Sequence, residues 1–327
     1  MFYNKMYILS FILVMILFFF LMNSTSIYIK WLSMEFSTIT MISMINIKSN
    51  NKIISILYFI MSSISSLIII TIISLNLTQL FFLKNNLMNF LLNLSMFLKI
   101  GMFPFCFWMI YIYNLSSWNQ ILIISTFMKF IPIYFFSSMI YLTPKFIIML
   151  FINNTFIALY TNINFSIKKL FGCSSIFNSM FFILMLYSNK NLFILLMLIY
   201  LMTFSSLIYF LNYYNINNLN FSNFSSYSYY MFIMLLFMYS SFPLYLTFLF
   251  KWEFIYYFNL NFNNNLIILL LLISMIMLWN YFILLKYMML KLKFLKTKLN
   301  FEIFYMKNYI LMMILFFSSM FILYNLI

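Results

Sequence analysis

Apolar residues run along this chain in long stretches that polar residues interrupt only briefly. Read as spans, the stretches predict helices at 4–22, 25–46, 53–80, 87–113, 118–140, 145–161, 167–187, 191–213, 227–258, 264–287 and 309–326. A helix needs ~20 apolar residues to cross a bilayer, so the pattern predicts an all-α polytopic membrane protein with about eleven transmembrane helices. The fourth and ninth stretches are too long for one plain span, and each holds a helix breaker near its middle. Gly101 and Pro104 interrupt the fourth, and Pro243 interrupts the ninth. Proline has no N–H to donate and clashes with the carbonyl four residues back, so both stretches are expected to be discontinuous helices. The third stretch is long and unbroken, which predicts a tilted helix.

The breaks suggest internal symmetry. Helices one to five (4–140) and six to ten (145–287) are of similar length, and the break falls in the fourth helix of each set. Those two helices run in opposite directions across the membrane. This is the layout of two inverted five-helix repeats, with an ion site near broken helices at midplane. Residues 288–327 then form a basic segment and a last helix, all within a single transmembrane domain, 1–327.

Composition sharpens this reading. The chain is 66% hydrophobic and 6% charged, whereas a soluble domain carries roughly 25% charged residues. All 18 basic residues are lysine, the three acids are Glu35, Glu253 and Glu302, and Arg, Asp and His are absent. There is one alanine, Ala158, and one valine, Val14. The favoured residues have A/T-rich codons, which points to an A/T-rich, organellar genome. Under that pressure the two glycines and four prolines are expected to persist where the backbone requires them.

The net charge of +15 does not indicate nucleic-acid binding, because most lysines stand at the ends of apolar runs. Lys5, Lys48, Lys52, Lys168, Lys169, Lys286, Lys291, Lys293, Lys296, Lys298 and Lys307 fall on the N-terminal side; Lys84, Lys145, Lys190 and, close by, Lys30 fall on the other. The positive-inside bias places the N-terminus on the cytoplasm-equivalent side and an odd number of helices places the C-terminus opposite. The stretch Lys286–Lys307 mixes lysines with apolar residues and reads as an interfacial segment that attracts anionic head groups, or as a basic loop. Cys106 and Cys173 lie in apolar segments and read as small buried thiols. Without His, no metal cluster is expected. Two isolated glycines make no phosphate-binding loop.

Four ionisable residues fall inside spans: Glu35, Lys99, Lys129 and Lys251. Each costs about 2.5–3.5 kcal/mol at midspan on insertion scales. They either pair to hold helices together or form an ion or proton path, and the path is favoured because backbone breaks stand beside them. Lys99 precedes the Gly101/Pro104 break and ends a half-helix, whose free carbonyls favour an ammonium. Lys129 lies in the next helix. Lys251 follows Pro243. Glu35, the one midspan acid, is the expected counter-charge for Lys99.

Five segments carry a resemblance: Trp31-Leu-Ser-Met-Glu35; Lys99-Ile-Gly-Met-Phe-Pro104-Phe-Cys-Phe-Trp108; Lys129-Phe-Ile-Pro132; Ser166-Ile-Lys-Lys-Leu-Phe-Gly-Cys-Ser-Ser-Ile176; and Phe242-Pro243 with Lys251-Trp252. In this order they resemble the subunit 2 family of mitochondrial NADH dehydrogenase, antiporter-like membrane chains of respiratory complex I. The sequence departs from the family pattern at Cys106 and Asn178, where the family has His, and at Ser-Ser-Phe-Pro243, where it has Gly-Leu-Pro-Pro. A relay here would therefore rest on lysines and water. The resemblance implies a form shortened at the N-terminus and a proton-translocating subunit of the mitochondrial inner membrane, with the N-terminus in the matrix and the C-terminus in the intermembrane space. It implies Glu35, Lys99, Lys129 and Lys251 as proton carriers. Partners would be the other membrane subunits, neighbouring antiporter-like chains among them, and lipids such as cardiolipin. It implies no cofactor in this chain, with NADH, FMN, iron–sulfur clusters and ubiquinone in other subunits. A free-standing cation/proton antiporter and a purely structural membrane subunit are the alternatives. A membrane chemoreceptor fits the hydropathy but not the intramembrane lysines.

Overall fold

In a computed structural model, residues 2–47, 52–78, 85–139, 143–163, 166–214, 216, 226–240, 248, 251–253, 255–256 and 264–292 are described. They form helices and short connections, with no strand among them. The helices are α1 (Phe2–Asn23), α2 (Ile27–Ile47), α3 (Ile53–Thr78), α4 (Asn85–Ile100), α5 (Cys106–Leu115), α6 (Trp118–Ser125), α7 (Phe127–Ser137), α8 (Pro144–Ile163), α9 (Ile167–Ser188), α10 (Lys190–Tyr213), α11 (Ser226–Tyr239) and α12 (Asn264–Leu292). Six apolar stretches in these helices are long enough to cross a membrane: Ile53–Leu75, Trp118–Ser137, Pro144–Ile163, Ile167–Ser188, Lys190–Tyr213 and Leu266–Tyr287. The chain is an all-α, multi-pass membrane protein.

Polar residues that would otherwise weaken apolar helices satisfy themselves locally. On α2, the hydroxyls of Ser33, Ser37 and Thr38 donate to the carbonyls three residues back. This is the common fate of Ser and Thr in a helix, and it satisfies these three hydroxyls within the helix itself.

The expected fourth helix is broken. α4 ends at Ile100, Gly101 takes φ +75, and α5 begins at Cys106. The left-handed φ is open to glycine at no steric cost, and Met109 Cβ lies 2.7 Å from where a Gly101 Cβ would stand. The Phe103–Pro104 peptide is cis.

The expected fifth helix, 118–140, is also broken, and the sequence reading gave no sign of it. α6 and α7 meet at Thr126, whose φ and ψ are −106° and −91°. Its hydroxyl donates to the Leu122 carbonyl at 2.6 Å. The N–H groups of Lys129 and Phe130 both donate to the Thr126 carbonyl, so α7 starts on a tightened turn. Pro132 stands inside α7 and can give the Met128 carbonyl no N–H.

Pro243 and residues 309–326 lie outside the described residues, as do Lys48, Lys84, Glu302 and Lys293 to Lys307. α12 carries the helix past its expected end at 287 to Leu292, so the start of the basic segment is helical rather than loop.

The residues fall into two compact units, with the boundary between Phe193 and Ile194 inside α10. In the first, α9 is the axis: it packs on α5, α6, α7 and α8 and is buried along nearly its whole length. α2 packs on α1, α3, α6 and α7. In the second, aromatic rings join the helices. Phe204 of α10 meets Tyr239 of α11 at 5.1 Å, and Tyr239 meets Tyr281 of α12 at 6.2 Å.

Candidate proton-carrying site

Two buried lysines define the site in the first unit. Lys99 stands one residue before the end of α4. Its Nζ donates to Glu35 Oε1 of α2 at 2.5 Å, with the lysine side chain fully buried and the glutamate 20% exposed. The pairing expected from the sequence is therefore present. Burying two opposite charges together avoids the much larger cost of burying either alone. The α4 terminus adds carbonyl dipoles that favour a cation.

Polar groups cluster near this pair. Trp31 is one helical turn before Glu35 on α2. Tyr58 lies within electrostatic reach of Glu35 and meets the Trp108 ring edge-on at 5.7 Å. Trp31 Nε1, Tyr58 Oη and Trp108 Nε1 are buried with no hydrogen-bond partner. Such orphans are rare in folded proteins, and Tyr58 is the one of the three that acts electrostatically on Glu35.

The backbone of the break is held from α8. Asn153 Oδ1 accepts from the Phe103 N–H at 2.7 Å, and Asn153 Nδ2 donates to Asn154 Oδ1 at 3.0 Å. Asn154 Nδ2 donates to the Phe177 carbonyl of α9 at 3.3 Å. Both asparagines are buried. Asparagine is so frequent in this sequence that neither residue stands out from its neighbours.

Lys129 is as buried as Lys99 but lacks a carboxylate within ion-pair distance. Its Nζ donates to Ser175 Oγ of α9 at 2.8 Å and stands 5.7 Å from the centre of the Tyr113 ring. Tyr113 Oη and Ser175 Oγ share a hydrogen bond of 2.9 Å. Ser175 Oγ donates to the Gly172 carbonyl at 2.6 Å. Gly172 explains how the phenol reaches this place. A Cβ there would stand 2.4 Å from Tyr113 Cδ2, so only glycine lets the ring lie against α9. The sequence offered a clue in the rarity of glycine, but not the partner.

The same helix pair is fixed near the end of α5. Lys168 Nζ donates to the Ser116 carbonyl at 2.9 Å and lies 5.8 Å from the Trp118 ring. Gln120 donates to the Ile45 carbonyl of α2 at 3.1 Å and closes a capping box with Ser117.

Cys106 and Cys173 are buried free thiols. Among the described residues no group of His, Cys, Asp or Glu could hold a metal ion. Lys251 belongs to the second unit, where it is half-buried in a helical turn with Trp252 and Glu253.

No family model matches the chain. NADH-ubiquinone oxidoreductase chain 2 of Apis mellifera ligustica is 42% identical over 278 residues, which are 85% of this chain and 84% of that one. The protein of the same name from Artemia franciscana is 29% identical over 180 residues, 55% of this chain and 54% of that one. Among solved structures, a chain of respiratory complex I from Thermus thermophilus with bound aureothin superposes with a TM-score of 0.71. The match covers 85% of this chain and 69% of that chain at 14% identity, and so speaks for the fold alone. With 42% identity sustained over most of both lengths, the chain belongs to the NADH-ubiquinone oxidoreductase chain 2 family.

Proposed function

We propose that this chain is a proton-translocating membrane subunit of NADH:ubiquinone oxidoreductase, complex I, and that Glu35, Lys99, Lys129 and Lys251 carry the protons. The observation that supports this best is the placement of Lys99 and Lys129. Each is fully buried, each stands within a few residues of a helix break, and each touches a polar partner on another helix. A lysine required only for solubility would lie at a helix end in water. Buried ionisable groups beside broken helices are how membrane transporters hold mobile charge.

In this reading Lys99 and Glu35 share a proton that can move between them, and Lys129 takes up or releases a proton beside neutral partners. The energy comes from NADH oxidation and quinone reduction, with NADH, FMN, iron–sulfur clusters and ubiquinone held by other subunits. The chain sits in the mitochondrial inner membrane, N-terminus to the matrix, against other membrane subunits that include antiporter-like neighbours. Lipids such as cardiolipin cover the remaining apolar faces. The segments 4–140 and 145–287 act as two inverted repeats.

Replacing Lys99 by Met keeps length and apolar packing while removing the charge. In the assembled enzyme in proteoliposomes, protons moved per NADH oxidised should fall sharply. Normal pumping by Lys99→Met would overturn the proposal and leave the fold untouched.

A further inference from the structure

We infer that Tyr113 and Ser175 form a two-hydroxyl relay that passes protons between Lys129 and the break at residues 101–105, an inference that rests on the reading of Lys129 as a proton carrier.

Four observations lead to it. Lys129 Nζ, Ser175 Oγ and Tyr113 Oη form a continuous hydrogen-bonded chain, with links of 2.8 and 2.9 Å. All three residues are essentially excluded from solvent, so the chain is not a surface network that water replaces. Tyr113 belongs to α5, which starts immediately after the break beside Lys99. Seven residues separate Cys106 from Tyr113, about two turns or ~10 Å of helix rise. α5 thus reaches from one lysine to the surroundings of the other. Finally, one of the chain's two glycines, Gly172, stands where any side chain would expel the Tyr113 ring. The exception fixes where the ring lies, and the ring's position brings its hydroxyl to Ser175.

The hydroxyls have the polarity a relay needs. Serine has one proton to donate and two lone pairs. In the geometry observed, Ser175 donates to the Gly172 carbonyl, so it accepts from both Lys129 and Tyr113. Rotation of the Ser175 hydroxyl towards Tyr113 Oη reverses that link. The transfer then proceeds as one concerted shift. The Lys129 N–H bond breaks as its proton bonds to Ser175 Oγ. The Ser175 proton passes to Tyr113 Oη, and the Tyr113 proton passes to a water molecule. Lysine becomes neutral, the water becomes hydronium, and both hydroxyls end as they began, neutral and with one proton each.

The Tyr113→Phe variant keeps the ring that Gly172 accommodates and removes only the hydroxyl. In the assembled enzyme reconstituted in liposomes, three quantities are measured: protons moved per NADH oxidised, NADH oxidation rate, and thermal stability. The expected result is a loss of proton yield by the same fraction as in Lys129→Met, with assembly and thermal stability retained. Should Tyr113→Phe fail to assemble, Ser175→Ala breaks the same chain with a smaller change and must show the same loss. Full proton yield in either assembled variant, with Lys129→Met impaired, overturns the relay and leaves the lysine reading standing. Full yield in Lys129→Met as well overturns both.

Discussion

Lys99 and Lys129 are equally buried and each stands beside a helix break, yet the protein stabilises them by different means. Lys99 is held by a full counter-charge, Glu35, at 2.5 Å. Lys129 is held by neutral dipoles and a ring face: Ser175 Oγ at 2.8 Å and the Tyr113 ring at 5.7 Å. The first arrangement sets the lysine against a glutamate that remains one-fifth exposed. The second has nothing that must stay ionised, so Lys129 can lose its proton without stranding an opposite charge. A membrane interior makes this difference large, because water is not there to screen or replace either partner.

The largest effect should come from separating the charged pair. Glu35→Leu leaves a buried ammonium without its counter-charge, and breaking such a pair costs about 3–5 kcal/mol. Partial exposure of Glu35 places this case towards the lower end. The double variant Glu35→Leu with Lys99→Met should regain most of the loss, because replacing both charges by apolar groups is often neutral. Ser175→Ala, by contrast, removes a neutral acceptor and should cost about 1–3 kcal/mol. Thermal unfolding of the three variants checks this ordering. Equal losses for Glu35→Leu and Ser175→Ala would erase the distinction between the two lysines.

The glycines beside the two lysines offer the next test. Gly101→Ala meets both a left-handed backbone, about 1–2 kcal/mol for a residue with a Cβ, and Met109 Cβ at 2.7 Å. Gly172→Ala meets a rigid ring at 2.4 Å inside an ordinary helix, and overpacking of that kind costs about 1–3 kcal/mol. Gly101→Ala should therefore be the less stable. Gly172→Ala should show the sharper loss of proton yield for its loss of stability, since the displaced Tyr113 ring takes its hydroxyl away from Ser175. Proton yield plotted against melting temperature for the two variants decides it; a shared line would mean that both glycines serve packing alone.

The sequence made the first lysine legible and left most of the second hidden, for a physical reason. A lone acid, a lysine and a Gly–Pro break are each conspicuous in an apolar chain, and a bilayer leaves an acid and a base few choices but each other. Ser175, Tyr113, Asn153 and Asn154 are ordinary residues in this composition. What gives them meaning is contact across helices far apart in sequence, such as the Asn153 bond to the Phe103 N–H. The break at Thr126 was hidden for a related reason. It falls at a threonine whose hydroxyl bonds back to the Leu122 carbonyl, not at a glycine, and Pro132 reads equally well as a kink inside one helix. The α4–α5 break was visible because Gly101 frees the backbone to turn and Pro104 restricts it, both in ways that sequence alone specifies.

The smallest effect concerns that hidden break. Thr126→Val removes the hydroxyl and keeps the shape. The Leu122 carbonyl loses its 2.6 Å bond from Thr126 Oγ1 but keeps the Thr126 N–H at 3.2 Å. One neutral hydrogen bond contributes about 0.5–1.5 kcal/mol, so the loss should be modest. If Pro132 is what forces α7 to start afresh, the break persists in Thr126→Val, Lys129 keeps its bond to Ser175, and proton yield stays near normal. Pro132→Ala restores an N–H for the Met128 carbonyl and should let α6 and α7 approach one continuous helix, carrying Lys129 away from Ser175. Proton yield should then fall although the helix itself gains a hydrogen bond. The opposite pattern, with Thr126→Val losing proton yield and Pro132→Ala retaining it, would assign the break to the threonine side chain. Lys129 would then depend on a local hydrogen bond where Lys99 depends on backbone geometry.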